Sequence, residues 1–329
     1  MTAALSRRRT LPPGGHVVLQ PMADGWPVRS LYWPAKQNGP GSILLLTGRA
    51  DFAEKYAETL HDLIDAGWGV ATFDWRGQGR SGRVGDDSMK GDAPPGGFDR
   101  WLADLDTLIG WFHRVLPPPW FAIGHSMGGH LLLRHLAGEN CEFERAVLLA
   151  PMLGVSARPL GAPLARLLAR LMVGLGLGHR YVAGGGPRLP REPGSARQLL
   201  LTTDPERYGD EGWWVEQNPA LALGSSTWGW LAAAFASLDA LLKPPRGLRG
   251  TGEGARRVPA LQRITTPVLV LVAEPDGLVD NAITRNAVAT MAHATLEAVP
   301  GAGHELLREA SDIRARVLAR VTDFLQTGA

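Results

Sequence analysis

One short segment constrains the fold of this chain more than any other: Gly124, Ser126 and Gly128 in the spacing Gly-x-Ser-x-Gly. A strand-like run over residues 120–123 precedes it, and an apolar helical run over residues 126–136 follows it. Small residues two positions either side of a serine let a strand turn sharply into a helix without backbone clashes. The spacing alone would arise by chance about 0.3 times in a chain of this kind. Its strand–helix context therefore carries the prediction, a nucleophile elbow with Ser126 as the nucleophile.

Apolar runs of strand length alternate with helical runs over most of the chain, which predicts a mostly parallel sheet with helices on both faces. The first two strands are separated by Asp24-Gly25, a hairpin signal. The predicted strands cover residues 16–20, 28–33, 43–46, 70–73, 120–123, 146–149, 268–272 and 295–299. The predicted helices of the first half cover residues 51–66, 99–115 and 126–136.

The alternation breaks between residues 151 and 258, a block rich in Gly, Pro and Arg that also contains four tryptophans. The first part of the block, Leu160 to Leu177, is apolar with Arg166 and Arg170 one helical turn apart. We interpret residues 151–258 as an inserted, mostly helical cap. Residues 1–150 and 259–329 would then form one catalytic core.

A serine hydroxyl needs a base to take its proton, and a carboxylate to orient that base. In this arrangement the chain order is Ser, then Asp or Glu, then His. Asp276 follows the apolar run 268–272 in a turn with Pro275 and Gly277, and His304 follows the run 295–299 in a loop of small residues. Because carboxyl ends of parallel strands meet at one sheet edge, Ser126, Asp276 and His304 are predicted to form a catalytic triad.

Rival residues lie near each predicted member of the triad. Asp280 is better placed to cap the following helix, and Glu274 is a weaker alternative to Asp276. His125 adjoins Ser126 in a turn that points its side chain elsewhere, whereas His130 and His135 fall within the next helix. His304-Glu305 resembles the start of a zinc-binding His-Glu-x-x-His motif, but Arg308 occupies the position of the second histidine. We predict no metal and no cofactor.

Acyl transfer creates a negative oxygen that two backbone N–H groups commonly stabilise. Met127 directly follows the nucleophile and would supply one donor. The turn Thr47-Gly48-Arg49-Ala50 after the strand 43–46 would supply the other, with the Arg49 N–H as the candidate and its side chain in a bracing role. The segment 74–82, rich in Gly and Arg, matches no phosphate-binding motif and is interpreted as a structural loop beside the active site.

The formal net charge of +2 gives no basis for nucleic acid as a partner. Cys141 is the only cysteine, so no internal disulfide can form. The basic run Arg7 to Arg9 is not followed by the apolar stretch of an export signal, and no later stretch has the ~18 uninterrupted apolar residues that spanning a membrane requires. We expect a cytoplasmic protein, with transient contact of the cap with a membrane surface kept as an alternative.

The chain resembles the lysophospholipase and monoacylglycerol lipase branch of the α/β-hydrolases, which is sometimes grouped with serine aminopeptidases. The matching segments are Thr47-Gly48 to Tyr56, Asp74 to Gly82, Gly124 to Gly129, Asp276 to Asp280 and Gly303-His304, with 201–208 in the cap. The resemblance implies the α/β-hydrolase fold, the triad named above, and Arg49 and Met127 as oxyanion donors. Many relatives have His-Gly where this chain has Thr47-Gly48, which leaves the backbone donor in place.

These observations predict a serine esterase that cleaves carboxylic esters through an acyl-enzyme, with lysophospholipids or monoacylglycerols as substrates. One alternative is cleavage of another bond on the same fold, such as a peptide, thioester or C–C bond. A second is a binding protein without catalysis that has kept the fold.

Overall fold

The fold is described from a computed structural model that covers residues 2–85, 90–138, 142–156, 160–187, 189–243 and 259–328. Cys141 and the end of the predicted cap, residues 244–258, lie outside these ranges.

Eight strands form one sheet in the order β1-β2-β4-β3-β5-β6-β7-β8. The strands are β1 (His16–Pro21), β2 (Pro27–Trp33), β3 (Ser42–Leu46), β4 (Gly69–Phe73), β5 (Trp120–His125), β6 (Arg145–Leu149), β7 (Val268–Glu274) and β8 (Ala294–Pro300). β2 pairs antiparallel with β1 and β4, and all other pairs are parallel. The predicted mostly parallel sheet is confirmed, as is the hairpin at Asp24-Gly25.

The central strands are apolar throughout because both of their faces are covered. Every residue of β3 and β4 is buried, whereas Val17 and Leu19 on the edge strand β1 are exposed. Continuous apolar runs of this kind are typical of parallel sheets covered by helices on both faces. The loops that follow β3, β5, β7 and β8 all leave from the carboxyl edge of the sheet, which is where open α/β sheets bind ligands.

Ten α-helices are found in the described part of the chain. They are α1 (Ala3–Arg9), α2 (Ala57–Asp65), α3 (Phe98–Val115), α4 (Met127–Leu136), α5 (Ala162–Gly174), α6 (Ala196–Leu201), α7 (Pro205–Gln217), α8 (Trp228–Leu242), α9 (Asn281–Val288) and α10 (Ser311–Thr327). Side chains of α3, α4 and α9 pack into one apolar core, and those of α2 and α10 pack into a second. The expected helices on both faces are therefore present.

The structure differs from the sequence-based expectation in two places. The segment predicted as one helix over 51–66 begins with a 3-10 turn at Ala53–Tyr56 and becomes α-helical only at Ala57. The Arg7 to Arg9 run, which the sequence analysis assigned to no element, lies in helix α1. All three arginines pair with acidic side chains of α2 or α7, so long-range ion pairs hold a helix with no buried residue.

Helices α5 to α8 come from the segment between β6 and β7. We call its described residues between 151 and 243 the cap segment. Whether residues 151–258 form a cap separate from a core of 1–150 and 259–329 stays a prediction. Within the described ranges, no helix is long and apolar enough to cross a membrane.

His130 of α4 joins the sheet layer to the cap segment, since its Nε2 lies 2.6 Å from the Ser237 hydroxyl of α8. The ring is fully buried and its Nδ1 has no hydrogen-bond partner among the described residues. Burial, followed by the charge of Arg134, lowers the pKa of His130 to about 3. His130 is therefore neutral at pH 7, as expected for a packed rather than catalytic histidine.

We predict that His130 makes the protein less stable in mild acid. In the unfolded chain His130 binds a proton below pH ~6.5, whereas in the folded chain it does so only below about pH 3. Between these two values the free energy of unfolding therefore falls by ~1.4 kcal/mol for each unit by which the pH falls. The free energy of unfolding, measured in urea, should fall less between pH 7 and pH 4 in His130→Gln than in the wild type. His135→Gln, on the same helix but paired with Asp106, is the control. An equal loss in wild type and His130→Gln would contradict the prediction.

Candidate active site

Ser126 occupies a strained turn between β5 and α4. Its backbone has φ 50° and ψ −114°, a combination that a non-glycine residue rarely adopts. The turn is held because the Ser126 N–H donates to the Leu149 carbonyl of β6, at 3.0 Å, and the Ser126 carbonyl accepts from the N–H groups of His130 and Met152. The serine hydroxyl thus lies at the N-terminus of α4, as the strand–Ser–helix pattern predicts.

The glycines two positions before and after Ser126 have no room for a side chain. A Cβ at Gly128 would lie 2.5 Å from the Thr47 carbonyl oxygen and 2.6 Å from that of Leu46. A Cβ at Gly124 would lie 2.8 Å from the Gly129 Cα. The motif therefore brings α4 into backbone contact with the end of β3, which is the strand that leads into the predicted oxyanion loop.

The structure brings together the three residues predicted to form the triad. The Ser126 Oγ lies 2.9 Å from the His304 Nε2, and the His304 Nδ1 lies 2.7 Å from an Asp276 carboxylate oxygen. The other Asp276 oxygen accepts from the N–H groups of Leu278 and Val279, at 2.8 and 3.0 Å. Burial opposes ionisation of Asp276, but the hydrogen bond from His304 and these two N–H groups hold the pKa of its carboxyl below the usual value.

The rival carboxylates occupy other positions. Asp280 caps α9, where its side chain accepts from the N–H groups of Ala282 and Ile283. Glu274 is exposed and pairs with Arg285. Neither contacts His304 in the described structure.

The predicted oxyanion loop follows β3. The Gly48 N–H donates to the Asp51 carboxylate at 2.9 Å, and the Ala50 N–H donates to the Gln78 side chain at 2.6 Å. The Arg49 N–H between them has no acceptor among the described residues. Met127 begins α4, and the first N–H groups of a helix have no partner within it. These two amides are therefore free to bind a substrate oxygen.

The segment 74–82 supports this loop, as the sequence analysis predicts. The Trp75 Nε1–H donates to the Thr47 carbonyl at 2.8 Å, and Gln78 binds the Ala50 N–H. Asp74, fully buried, accepts from the Ala53 N–H and from the guanidinium of Arg29. The segment thus holds the backbone on both sides of Arg49.

A buried ionic network lies behind the site, and its centre is the ammonium group of Lys55. This group binds one carboxylate from each of three segments: Asp51 at 2.6 Å, Glu305 at 2.6 Å and Glu211 of α7 at 3.2 Å. Burial would lower the pKa of Lys55, but these carboxylates hold it above the usual value. Arg308 pairs with Glu305 and extends the network.

His125 belongs to the same network. Its Nδ1 lies 2.9 Å from the Tyr56 hydroxyl, and its Nε2 lies 3.2 Å from the backbone carbonyl of His304. The ring lines the cavity that opens onto Ser126 and contacts the loop that carries His304, so it does not point away from the reaction as the sequence analysis expects. Sequence reasoning missed this role, and also the roles of Lys55 and Glu211. The one local sign of this network in the sequence is the Asp51-x-x-x-Lys55 spacing, because residues i and i+4 face each other when the segment is helical, as predicted for 51–66.

The end of α6 is bonded directly to the His304 loop. The N–H groups of His304 and Glu305 donate to the carbonyls of Leu200 and Leu201, at 3.1 and 2.7 Å. A Cβ at Gly303 would lie 2.7 Å from the Leu201 carbonyl. The cap segment therefore helps to set the position of His304.

A cavity of about 350 Å³ opens onto Ser126 and His304. Most of its wall is apolar, formed by Met152, Val155, Leu189, Leu200, Leu201, Trp230, Leu278 and Val279. Polar and charged residues complete it, among them Arg49, Arg197, Ser225 and Ser226. Among the described residues, no three His, Cys, Asp or Glu side chains are arranged to hold a metal ion.

Residues 37–311 match the family described as "Serine aminopeptidase, S33" (Hydrolase_4). Lysophospholipase L2 of Escherichia coli K12 is 28% identical over 316 residues, which cover 92% of this chain and 84% of that protein. Among solved structures, a soluble variant of the monoglyceride lipase of Saccharomyces cerevisiae has a TM-score of 0.71 at 16% identity, covering 96% of this chain and 95% of that chain. A carboxyl esterase of Bacillus coagulans has a TM-score of 0.70 at 16% identity, covering 95% of this chain and 98% of that chain.

We predict that Gly128→Ala impairs catalysis. The new methyl group has to push the Leu46 and Thr47 carbonyls away, which costs ~1–3 kcal/mol and shifts the oxyanion loop relative to Ser126. Hydrolysis of p-nitrophenyl butyrate should fall at least ~10-fold. Gly110→Ala in α3, where only the Arg114 side chain comes within 4 Å, is the control and should keep full activity. Full activity in Gly128→Ala would contradict the prediction.

Proposed function

Because the chain belongs to the family described as serine aminopeptidase, S33, we propose that it hydrolyses the carboxylic ester of a lipid with one acyl chain, such as a lysophospholipid or a monoacylglycerol. The single observation that carries this proposal is the hydrogen-bonded series Ser126, His304 and Asp276 at the wall of a largely apolar cavity. The names of the relatives, lysophospholipase L2 and monoglyceride lipase, support the choice of bond and of substrate class.

In the first half of the reaction, the Ser126 Oγ attacks the ester carbonyl carbon while its proton passes to the His304 Nε2. Asp276 holds the His304 ring with the proton on Nδ1, so that Nε2 is free to accept. The C–O bond to the alcohol then breaks, and the His304 Nε2 gives its proton to the leaving oxygen. Ser126 is left as an ester of the fatty acid.

In the second half, water takes the place of the alcohol. His304 accepts a proton from the attacking water and returns it to the Ser126 Oγ as the acid leaves. In both halves the carbonyl oxygen becomes negative and binds the N–H groups of Arg49 and Met127. One such donor is commonly worth ~10²–10³ in kcat, because it is already oriented before the charge develops.

The structure gives less support to aminopeptidase activity. A free α-amino group would need an unpaired carboxylate near the scissile bond. Asp51 and Glu305 are the carboxylates of the cavity wall, and both bind the ammonium of Lys55. The apolar remainder of the wall favours an acyl chain.

We predict that a fluorophosphonate probe labels Ser126 and that Ser126→Ala abolishes both labelling and hydrolysis of p-nitrophenyl esters. Asp276→Asn should lower kcat by ~10³–10⁴ because the His304 tautomer is no longer held. Asp280→Asn is the matched control, since Asn also caps helices well. Amino-acid p-nitroanilides should not be cleaved. Undiminished labelling of Ser126→Ala, or full activity of Asp276→Asn, would refute the assignment.

We further propose that the cap segment contacts a membrane surface through α5. Leucines at positions 160, 164, 167, 171 and 175 are all 43% or more exposed and recur at helical spacing. The opposite side of α5 buries Ala165 and Ala169 against α8. Arg170 is 64% exposed and lies 3.9 Å from Asp239 of α8, at the side of this leucine row. A cation beside an apolar row is typical of helices that lie in the interface plane.

We predict that Leu167→Asp with Leu171→Asp reduces co-sedimentation with phosphatidylglycerol–phosphatidylethanolamine vesicles at least threefold. Burying one leucine side chain in the membrane interface stabilises binding by ~1.5–3 kcal/mol, and an aspartate in its place makes no such contribution. Leu19→Asp is the control, since this leucine is 66% exposed on β1. Activity on soluble p-nitrophenyl butyrate should be unchanged in each variant. Equal sedimentation of all three proteins would exclude α5 as the contact.

A further inference from the structure

The guanidinium of Arg49 is the one charged group of the reaction cavity, within the described residues, that lacks an ion-pair partner. Its Nη2 donates to the Gly224 carbonyl at 3.0 Å, and the group lies 5.2 Å from the ring centre of Trp230. Its Nε–H is shielded from solvent and has no acceptor among the described residues. The Asp92 carboxylate attracts the Arg49 guanidinium but lies too far away to form an ion pair with it.

The surroundings of Arg49 are positive. Burial, and then the charge of Arg197, lower the pKa of Arg49 to about 10, so the group stays charged at pH 7. Arg197 lines the same cavity and shares Glu211 with Arg191 and Lys55. In the network behind the wall, four cations face three carboxylates, and Arg49 adds a further positive charge. The cations and carboxylates are Lys55, Arg191, Arg197, Arg308, Asp51, Glu211 and Glu305.

Hydroxyl groups complete a set of donors suited to an anion. Ser226 lines the cavity beside Ser225, and the Ser226 hydroxyl donates to no described residue. Guanidinium groups and hydroxyls are donors that bind phosphate oxygens, and Arg49, Arg197 and Ser226 all line this cavity.

We propose that Arg49, helped by Arg197 and Ser226, binds the phosphate of the substrate, and that the preferred substrate is therefore a lysophospholipid rather than a neutral monoacylglycerol. The inference rests on the proposed function, because it assigns a headgroup subsite to the same cavity. Arg49 thus has two roles: its backbone N–H serves the oxyanion, and its side chain recognises the headgroup. A partly desolvated guanidinium gives a strong bond to phosphate but little to a hydroxyl.

The test compares two substrates with the same acyl chain, 1-oleoyl-lysophosphatidylglycerol and 1-oleoylglycerol, in matched detergent micelles. Arg49→Met should lower the ratio of kcat/KM for the phospholipid to kcat/KM for 1-oleoylglycerol at least ~10-fold, mainly through the KM of the phospholipid. Arg49→Lys should recover part of the loss. Arg316→Gln on α10, 71% exposed, is the control. Equal losses on both substrates would show that Arg49 only braces the loop, and no loss on either would also overturn the proposal.

A second measurement uses the wild-type protein, so that it does not depend on how the variants fold. The ether lipid 1-O-hexadecyl-glycero-3-phosphate should inhibit 1-oleoylglycerol hydrolysis with a Ki at least ~10-fold below that of 1-O-hexadecylglycerol. Equal Ki values would refute the subsite. Inhibition by inorganic phosphate at the same concentration as the ether lipid would assign the site to free phosphate instead. Ser126-dependent turnover of 1-oleoylglycerol reports separately on the proposed function.

Discussion

The ammonium of Lys55 is the interaction on which the active-site geometry most depends. It joins Asp51, next to the predicted oxyanion loop, Glu305 of the His304 loop and Glu211 of the cap segment in one buried cluster. Burying such a cluster is weak evidence for net stability, since desolvation offsets much of the attraction. Removing one member, however, leaves a buried charge unpaired, which costs ~3–5 kcal/mol. The cluster therefore fixes how three segments, far apart in sequence, are placed around Ser126.

The sheet and the triad geometry could be predicted because their signals are local. β3 and β7 are continuous apolar runs, and Ser126, Asp276 and His304 each come after a strand of the parallel sheet. The ionic cluster could not be predicted, because Lys55 and Glu305 are 250 positions apart and a charged residue ordinarily indicates a solvated surface. Helix α1 escaped prediction for the same reason, since its charged partners lie on distant helices.

In the predicted oxyanion loop, the backbone N–H groups on either side of Arg49 are already bound. Its neighbouring amides at Gly48 and Ala50 are bound by Asp51 and Gln78, so only the Arg49 N–H is left without an acceptor in the described structure. Gly48 is needed here because a Cβ would lie 2.8 Å from the Asp51 carboxylate. Thr47 accepts the Trp75 Nε1–H with its backbone carbonyl and is not among the residues that line the cavity.

The bonds between α6 and the His304 loop limit which part of the cap segment can move during turnover. Withdrawing the Leu200 and Leu201 carbonyls would release two backbone N–H groups beside His304, each worth ~1 kcal/mol or more when buried. Such a movement would also displace the imidazole from Ser126. Within the described ranges, α5 has no backbone bonds of this kind to the sheet layer, and its Ala165 packs on Phe235 and Leu238 of α8. Any opening of the cavity that keeps His304 bonded to Ser126 must therefore leave α6 in place on the His304 loop.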